Sequence, residues 1–402
     1  MTRPRHRRTT SRLLTRVVLA GLCVGTGALA VGTVLPRLDL AATPRTPTPT
    51  GSMTTIPTSA TGTSNPGSTT ATTVPPTTVP PTSVPASSGG AGGRSDRPAG
   101  LVQLSGSKTI CITDPPGPAL QAVELATGLT YNCIETFTNS DKTWAEWVDP
   151  WIASAPGAAF QSWVAADPTG HQLIDTQNLI PANVFADPDW TVTCAAGGYN
   201  AYATQFARKM VAAGFGYSVI RLGHEMNGTW ETDSLGNTPT QWRSWAGCFA
   251  QEVTAMRAVP GAHFLFDWSI NEGYRNIPLA DFYPGDSYVD IISICLYDQS
   301  GYPLPSIGSP DRWQALTSEP MGLNEVYAFA AQHHKPFAIP EWGTVSSQGD
   351  DATFVTNTAN FISSHVVAYQ SWFDGGEFGT NRLSSAAPLS LAAYARAMSK
   401  GR

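Results

Sequence analysis

The feature that most constrains this chain is an alternation that runs through its last three hundred or so residues. Short apolar runs of strand character lie at 109–113, 131–136, 172–177, 218–224, 263–268, 289–296, 336–341 and 368–373. Several are apolar almost throughout, as parallel strands covered on both faces must be. Segments with apolar residues at helical spacing fall between them, at 199–213, 240–258, 323–334, 352–363 and 389–399. In the first of these, Tyr202, Phe206, Met210 and Val211 form the apolar face. Eight strand–helix units of about 37 residues each predict an α/β fold, a (β/α)8 TIM barrel. A doubly wound open sheet is the competing topology, but no glycine-rich phosphate loop follows the first strand.

The chain before residue 99 is different material. Arg3, Arg5, Arg7, Arg8, Arg12 and Arg16 form a basic head, and 17–35 follows without a charge. Small residues come next, so 1–41 is read as a secretory signal peptide or, if uncleaved, a membrane signal anchor through 17–35. Residues 42–98 are Thr, Pro, Ser and Gly with almost no large apolar side chain, the composition of a disordered linker. Residues 99–402 form the expected catalytic domain and hold all twelve tryptophans. The charge divides the same way. Ten basic and two acidic residues lie in 1–98, against 14 basic and 28 acidic in the rest. An acidic globular part argues against nucleic acid as a partner. A secreted or extracytoplasmic location follows, and a monomer is expected.

Five cysteines lie in the globular part, with spacings that match no zinc pattern. Cys111 and Cys133 sit in successive strand-like runs, so a bridge between them is natural. Cys194 and Cys248 are candidates to pair across neighbouring loops or helices. Cys295, within an apolar run, reads as a buried free thiol.

In a barrel of this kind the active site lies at the C-terminal ends of the strands. Two strand-like runs close on a glutamate, Glu225 and Glu341. They are 116 residues apart, close to three barrel units, which puts them on the fourth and seventh strands, facing across the mouth. Either carboxylate alone reads best as a strand-end ion pair. Together they are what glycoside hydrolysis needs: one protonated to deliver a proton to the leaving oxygen, one ionised to attack the anomeric carbon. Arg221, four residues before Glu225, points into the barrel by alternation and is a candidate to tie a carboxylate in place. Phe137 and Trp144 follow the second strand and read as core packing ahead of cleft lining, while Asn271, Asp298 and Asp374 lie at or just past strand ends and carry no individual role. His333 and His334 read as a solvated helix end.

The blocks His224-Glu225-Met226-Asn227-Gly228-Thr229-Trp230 and Ile339-Pro340-Glu341-Trp342-Gly343 resemble family 26 of the glycoside hydrolases. The resemblance extends over roughly 120–402 and implies a retaining barrel enzyme of the clan that includes β-mannanases, β-1,3-xylanases and mixed-linkage β-glucanases. It implies Glu225 as acid/base and Glu341 as nucleophile. By the same resemblance His224 would bind the sugar at the reacting subsite, with Asn227 beside it, and Trp230 would stack on it. Tyr297 would orient the nucleophile, and Trp372 would be the platform beneath the sugar. No cofactor is implied, and nothing suggests a metal at the reacting centre.

The chain departs from the better-known mannanases in places. The loop after Trp230 lacks further aromatics, and the third strand ends Asp175-Thr176-Gln177-Asn178 without a histidine. The sugar is therefore open while the reaction class is not. A cell-wall transglycosylase and a non-catalytic carbohydrate-binding barrel are the alternatives.

Overall fold

The computed structural model describes residues 109–375, 380–383 and 387–399. The expected signal or anchor at 1–41, the linker at 42–98 and the start of the globular part at 99 lie outside the described residues. Eight strands follow one another: β1 Ile110–Ile112, β2 Cys133–Phe137, β3 Gln172–Gln177, β4 Val219–Leu222, β5 Leu265–Asn271, β6 Ile291–Tyr297, β7 Phe337–Gly343 and β8 Val367–Trp372. Each pairs in parallel with the next, and β8 closes back on β1. The expected barrel is therefore present.

Helices α1 Pro118–Thr127, α2 Trp144–Trp147, α3 Ala158–Ala166, α4 Trp190–Ala195, α5 Asn200–Ala212, α6 Pro239–Arg257, α7 Arg312–Ser318, α8 Leu323–Gln332, α9 Ala352–Ser364 and α10 Pro388–Met398 surround it. Local chemistry sets their starts. Thr238 and Gln241 form a capping box ahead of α6, and Pro239 takes the first turn, where its missing N–H costs nothing. The Asp351 carboxylate accepts the N–H groups of Thr353 and Phe354 to open α9. One unit departs from the expected alternation. Between β5 and β6 there is no α-helix, only a 3-10 turn at Leu279–Asp281 within a long loop.

Strand alternation divides the side chains into two cores. Outward residues join the helices in a large apolar layer that holds the fully buried Trp147, Trp245, Trp268, Trp342 and Trp372. Inward residues at the lower end of the barrel form a second cluster of Cys111, Cys133, Ile174, Val219, Ile291, Ala338 and Tyr369. Above it the interior turns polar, and the site is built there. Both expected disulfides are present, Cys111–Cys133 across the β1–β2 pair and Cys194–Cys248 between α4 and α6. Cys295 is free and buried, as expected.

Candidate active site

The two glutamates reach the barrel mouth by different backbone devices. β4 stops at Leu222, so Glu225 does not close the strand as the sequence reading had it; it lies three residues on, in a turn. Its φ is 50°, and Gly223 before it has φ 62°. The left-handed conformation is strained for a glutamate and persists only where surroundings over-determine it. Here they do. Gly223 N–H donates to Gln177 O at 2.7 Å and Glu225 N–H to Ser269 O at 2.8 Å, sewing the turn to β3 and β5. A Cβ on Gly223 would lie 2.7 Å from the Trp245 ring, so the turn also needs glycine for close approach.

Glu341 lies within β7, where the register against β8 shifts between Ile339 and Trp342. Ala338 faces the barrel interior while Ile339 and Trp342 belong to the outer core. The irregularity thus returns the chain inward at Glu341, three residues after Ala338 rather than two, which is how a bulge re-aims a side chain.

A carboxylate oxygen of Glu225, one of Glu341 and Cys295 Sγ lie within 4.8 Å of one another. The partners of the two acids differ. Glu225 Oε2 accepts from Trp230 Nε1 at 2.7 Å and its Oε1 from Asn271 Nδ2 at 3.1 Å, both neutral donors. Burial, and then the charge of Glu341, push its carboxyl above the usual carboxylate range. Glu341 Oε1 accepts from the Arg221 guanidinium at 2.7 Å and its Oε2 from the Tyr297 hydroxyl at 3.0 Å.

Arg221 is fully buried inside the barrel, with its guanidinium shared among several side chains. Its Nη1 also pairs with Glu135 of β2 and donates to Thr176 Oγ1 at 3.1 Å. Its Nη2 reaches Ser269 Oγ at 3.0 Å and Cys295 Sγ at 3.1 Å. Burial pushes Glu135 up to about 8 against the pull of Arg221.

The remaining expected residues divide. His224 is nearly buried, with Nε2 3.6 Å from Glu231 Oε1 and Nδ1 without a protein partner. Burial and the nearby Arg221 hold its pKa well below the usual imidazole value, so it is neutral near pH 7. Trp230 is 46 % exposed and donates to Glu225, and the Tyr297 hydroxyl donates to Glu341. Asn227 is a correction. It is fully buried, its Nδ2 donating to Asn271 O at 2.8 Å and its Oδ1 accepting from Asn271 N at 2.9 Å. It clamps the β4 turn to β5 and has no free end for a sugar.

Trp372 is a second correction. Its ring is fully buried on the helix side, 5.0 Å from Trp342 and 5.4 Å from Tyr394 between ring centroids. Its neighbours Ser371 and Tyr369 face inward, so alternation sends Trp372 outward and Phe373 in. Phe373 lies between Phe137 and Tyr297, at centroid distances of 5.7 and 6.4 Å, where the platform was expected. Phe137, read mainly as packing, faces the cleft as well, 6.3 Å from His224. Trp144 packs away from it, stacked on Tyr202. Asp298 and Asp374 cap backbone N–H groups of Val345 and Leu383.

Sequence reasoning missed Glu135, which pairs with Arg221 although 86 residues earlier in the chain. It gave Asn271 no role, yet Asn271 is a direct partner of Glu225. It also missed Glu231, which accepts from Asn139 and Asn178 and is pushed up to about 8 by burial. The position of Glu231 directly after Trp230 was a usable signal.

With this geometry in hand, comparison with known proteins is informative. Residues 217–317 match the profile of Glycosyl hydrolase family 26, a segment that runs from β4 through α7. The chain resembles family 26 of the glycoside hydrolases. Endoglucanase H of Acetivibrio thermocellus is 24% identical over 296 residues, which is 72% of this chain and 30% of that protein. The chain thus spans less than a third of that relative's length. Among solved structures, a modular endo-β-1,4-mannanase from Cellulomonas fimi is similar with a TM-score of 0.52 at 19% identity, over 73% of this chain and 75% of that one. A family 26 β-mannanase from Bacteroides ovatus gives 0.53 at 13% identity, over 74% and 90%. These structural likenesses support the barrel fold of the family.

Proposed function

We propose that the barrel is a retaining endo-β-glycosidase that cleaves an extracellular polysaccharide by double displacement, with Glu341 as nucleophile and Glu225 as general acid/base. The observation that carries this reading is that a carboxylate oxygen of each acid lies within 4.8 Å of one of the other at the barrel mouth, one acid among neutral donors and one against a guanidinium. A retaining mechanism needs carboxyl groups about 5–5.5 Å apart, whereas an inverting one leaves about 6.5–9.5 Å for a water. In the first step Glu341 attacks the anomeric carbon, and the glycosidic oxygen leaves with the proton of Glu225. In the second, Glu225 takes a proton from water, which displaces Glu341 and releases the sugar with its configuration retained. Arg221 and Tyr297 hold the nucleophile in place. His224 and Glu231 offer a neutral imidazole and a carboxyl group for sugar hydroxyls, and Trp230 and Phe373 offer apolar faces.

The substrate class follows from the mannanase likeness, with β-mannan first and β-1,3-xylan or mixed-linkage β-glucan next. Export is part of the proposal: 1–41 as signal or anchor, 42–98 as tether, 99–402 as the hydrolase. The two disulfides fit an oxidising compartment. The test is a reducing-sugar screen of the 99–402 segment on those polymers, followed by trapping with a slow 2-fluoroglycoside of the active class. Mass spectrometry should find the sugar esterified to Glu341. Label on another residue, or binding of every polymer without cleavage of any, would remove this assignment.

A further inference from the structure

Among the described residues, the exposed aromatic side chains other than histidine are Phe185, Trp230 and Tyr274. They are not scattered. Phe185 lies on the loop after β3, Trp230 on the turn after β4, and Tyr274 on the helix-free loop after β5. All three therefore stand on one sector of the barrel mouth. Trp230 and Tyr274 meet edge to face at 4.8 Å, and Tyr274 Oη lies 3.1 Å from Thr229 Oγ1. The β5 loop is pinned further by Arg275, whose Nη2 donates to Gly236 O at 2.8 Å and reaches Asn237 Oδ1 at 3.2 Å.

Behind this wall lies a groove of about 270 Å³. Its floor is the buried Trp190 and Leu235, its side the half-exposed ring of Phe185, and its rim Asp187, Asn237 and Arg275. Gly228 and Thr229 line its inner edge, three and four residues after Glu225. The Trp230 ring lies directly on Gly228, where a Cβ would come within 2.5 Å of it, while the same ring donates to Glu225. One side chain thus joins the proton-donating carboxyl to the edge of the groove.

We infer that this groove is a distal subsite for the polysaccharide on the leaving-group side of the cleft, reached over Trp230 and Tyr274. The inference rests on the glycosidase reading above, because the side is set by Glu225 delivering its proton to the leaving oxygen. The chemistry of the groove fits a neutral sugar chain. A flat aromatic covers the C–H face of a pyranose, and amide, carboxylate and guanidinium groups take its hydroxyls. Asp187 and Arg275 balance in charge, so the groove favours neither an anionic nor a cationic ligand. Gly228 and Thr229, which line the groove, belong to the same turn as Glu225 and the Trp230 that donates to it.

The experiment is a chain-length series. The wild-type enzyme is given oligosaccharides from disaccharide to hexasaccharide of whichever polymer it cleaves, and kcat/KM and the bond cleaved are recorded. Efficiency should rise with added units at the reducing end. Phe185→Ala should lower the hexasaccharide-to-trisaccharide ratio by about tenfold, the worth of one stacked ring face. Phe185→Tyr, which keeps the face, should restore it, and Arg275→Met should move the ratio in the same direction as Phe185→Ala. Thermal unfolding of each variant separates this effect from misfolding. A flat length profile in the wild type, or a ratio that neither variant changes, overturns the inference while leaving the glycosidase reading intact. Inactivity on every polymer and oligosaccharide removes the reading itself, and the inference with it.

Discussion

The ends of β4 and β7 carry the same residue type after similarly apolar runs, yet the molecule treats the two glutamates as different groups. At β4 the chain leaves the sheet through a left-handed turn and presents Glu225 to an indole N–H and an amide. At β7 the chain stays in the sheet, and a register shift turns Glu341 onto a guanidinium and a phenol. At Glu225 burial and the charge of Glu341 outweigh the two donated hydrogen bonds, so its protonated form is favoured. Chemical roles are therefore assigned by what surrounds each carboxylate.

The sharpest way to break this contrast is to neutralise each acid in turn. Glu341→Gln is expected to lose more than about 10⁴-fold in kcat on every substrate, because no covalent intermediate can form. Glu225→Gln is expected to lose about 10²–10⁴-fold on polymer but far less on aryl glycosides whose leaving groups need no proton. Equal losses on both substrate types would show that the two acids are not differentiated.

Removing the cation tests what makes the β7 side distinct. Arg221→Met leaves Glu135 and Glu341 buried without their shared partner, with an expected loss of about 3–5 kcal/mol in stability, read by denaturant unfolding. A similar loss is expected at Trp372, but of another kind. Trp372→Ala should cost about 3–5 kcal/mol of stability through an outer-core cavity. Phe373→Ala, facing the cleft, should instead raise KM with a smaller stability change. The reverse pattern would return the platform role to Trp372.

The smallest expected effects are in pH. Glu225 sits above its ordinary range, so kcat/KM should fall only as pH rises past that raised value. In Glu341→Gln the like charge is gone, and NMR titration should show the Glu225 carboxyl moving down. Stability should respond as well. Glu231 binds its proton up to about 8 in the fold and to about 4.5 when unfolded, so its contribution is present at low pH and is lost as pH rises through about 8. Glu231→Gln should flatten that decline in a series of thermal unfolding curves.

The β4–β7 contrast was only half visible in the amino-acid sequence. Apolar runs and their spacing placed both glutamates on facing strands, since the barrel repeat is regular over that stretch. The left-handed turn was hinted at by Gly223 and the bulge by nothing local. Arg221 pointed inward by alternation, but its partner Glu135 belongs to β2, and no local pattern links residues so far apart. No helical spacing was read between 263–268 and 289–296, and only the count of eight strand–helix units implied a helix where the β5 loop has none.

What the sequence determined by itself is therefore what short-range periodicity can encode. Eight strands, five of the ten α-helices among the described residues, the two cysteine pairs and the placing of the two acids on the fourth and seventh units are all of that kind. Tertiary structure decided what depends on a single residue of phase or on distant partners. Trp372 faces the core and Phe373 the cleft because side chains alternate, and an error of one position exchanges inside for outside. The characters of Glu225 and Glu341 were decided there too, because burial and an apposed charge exist only once the barrel has closed.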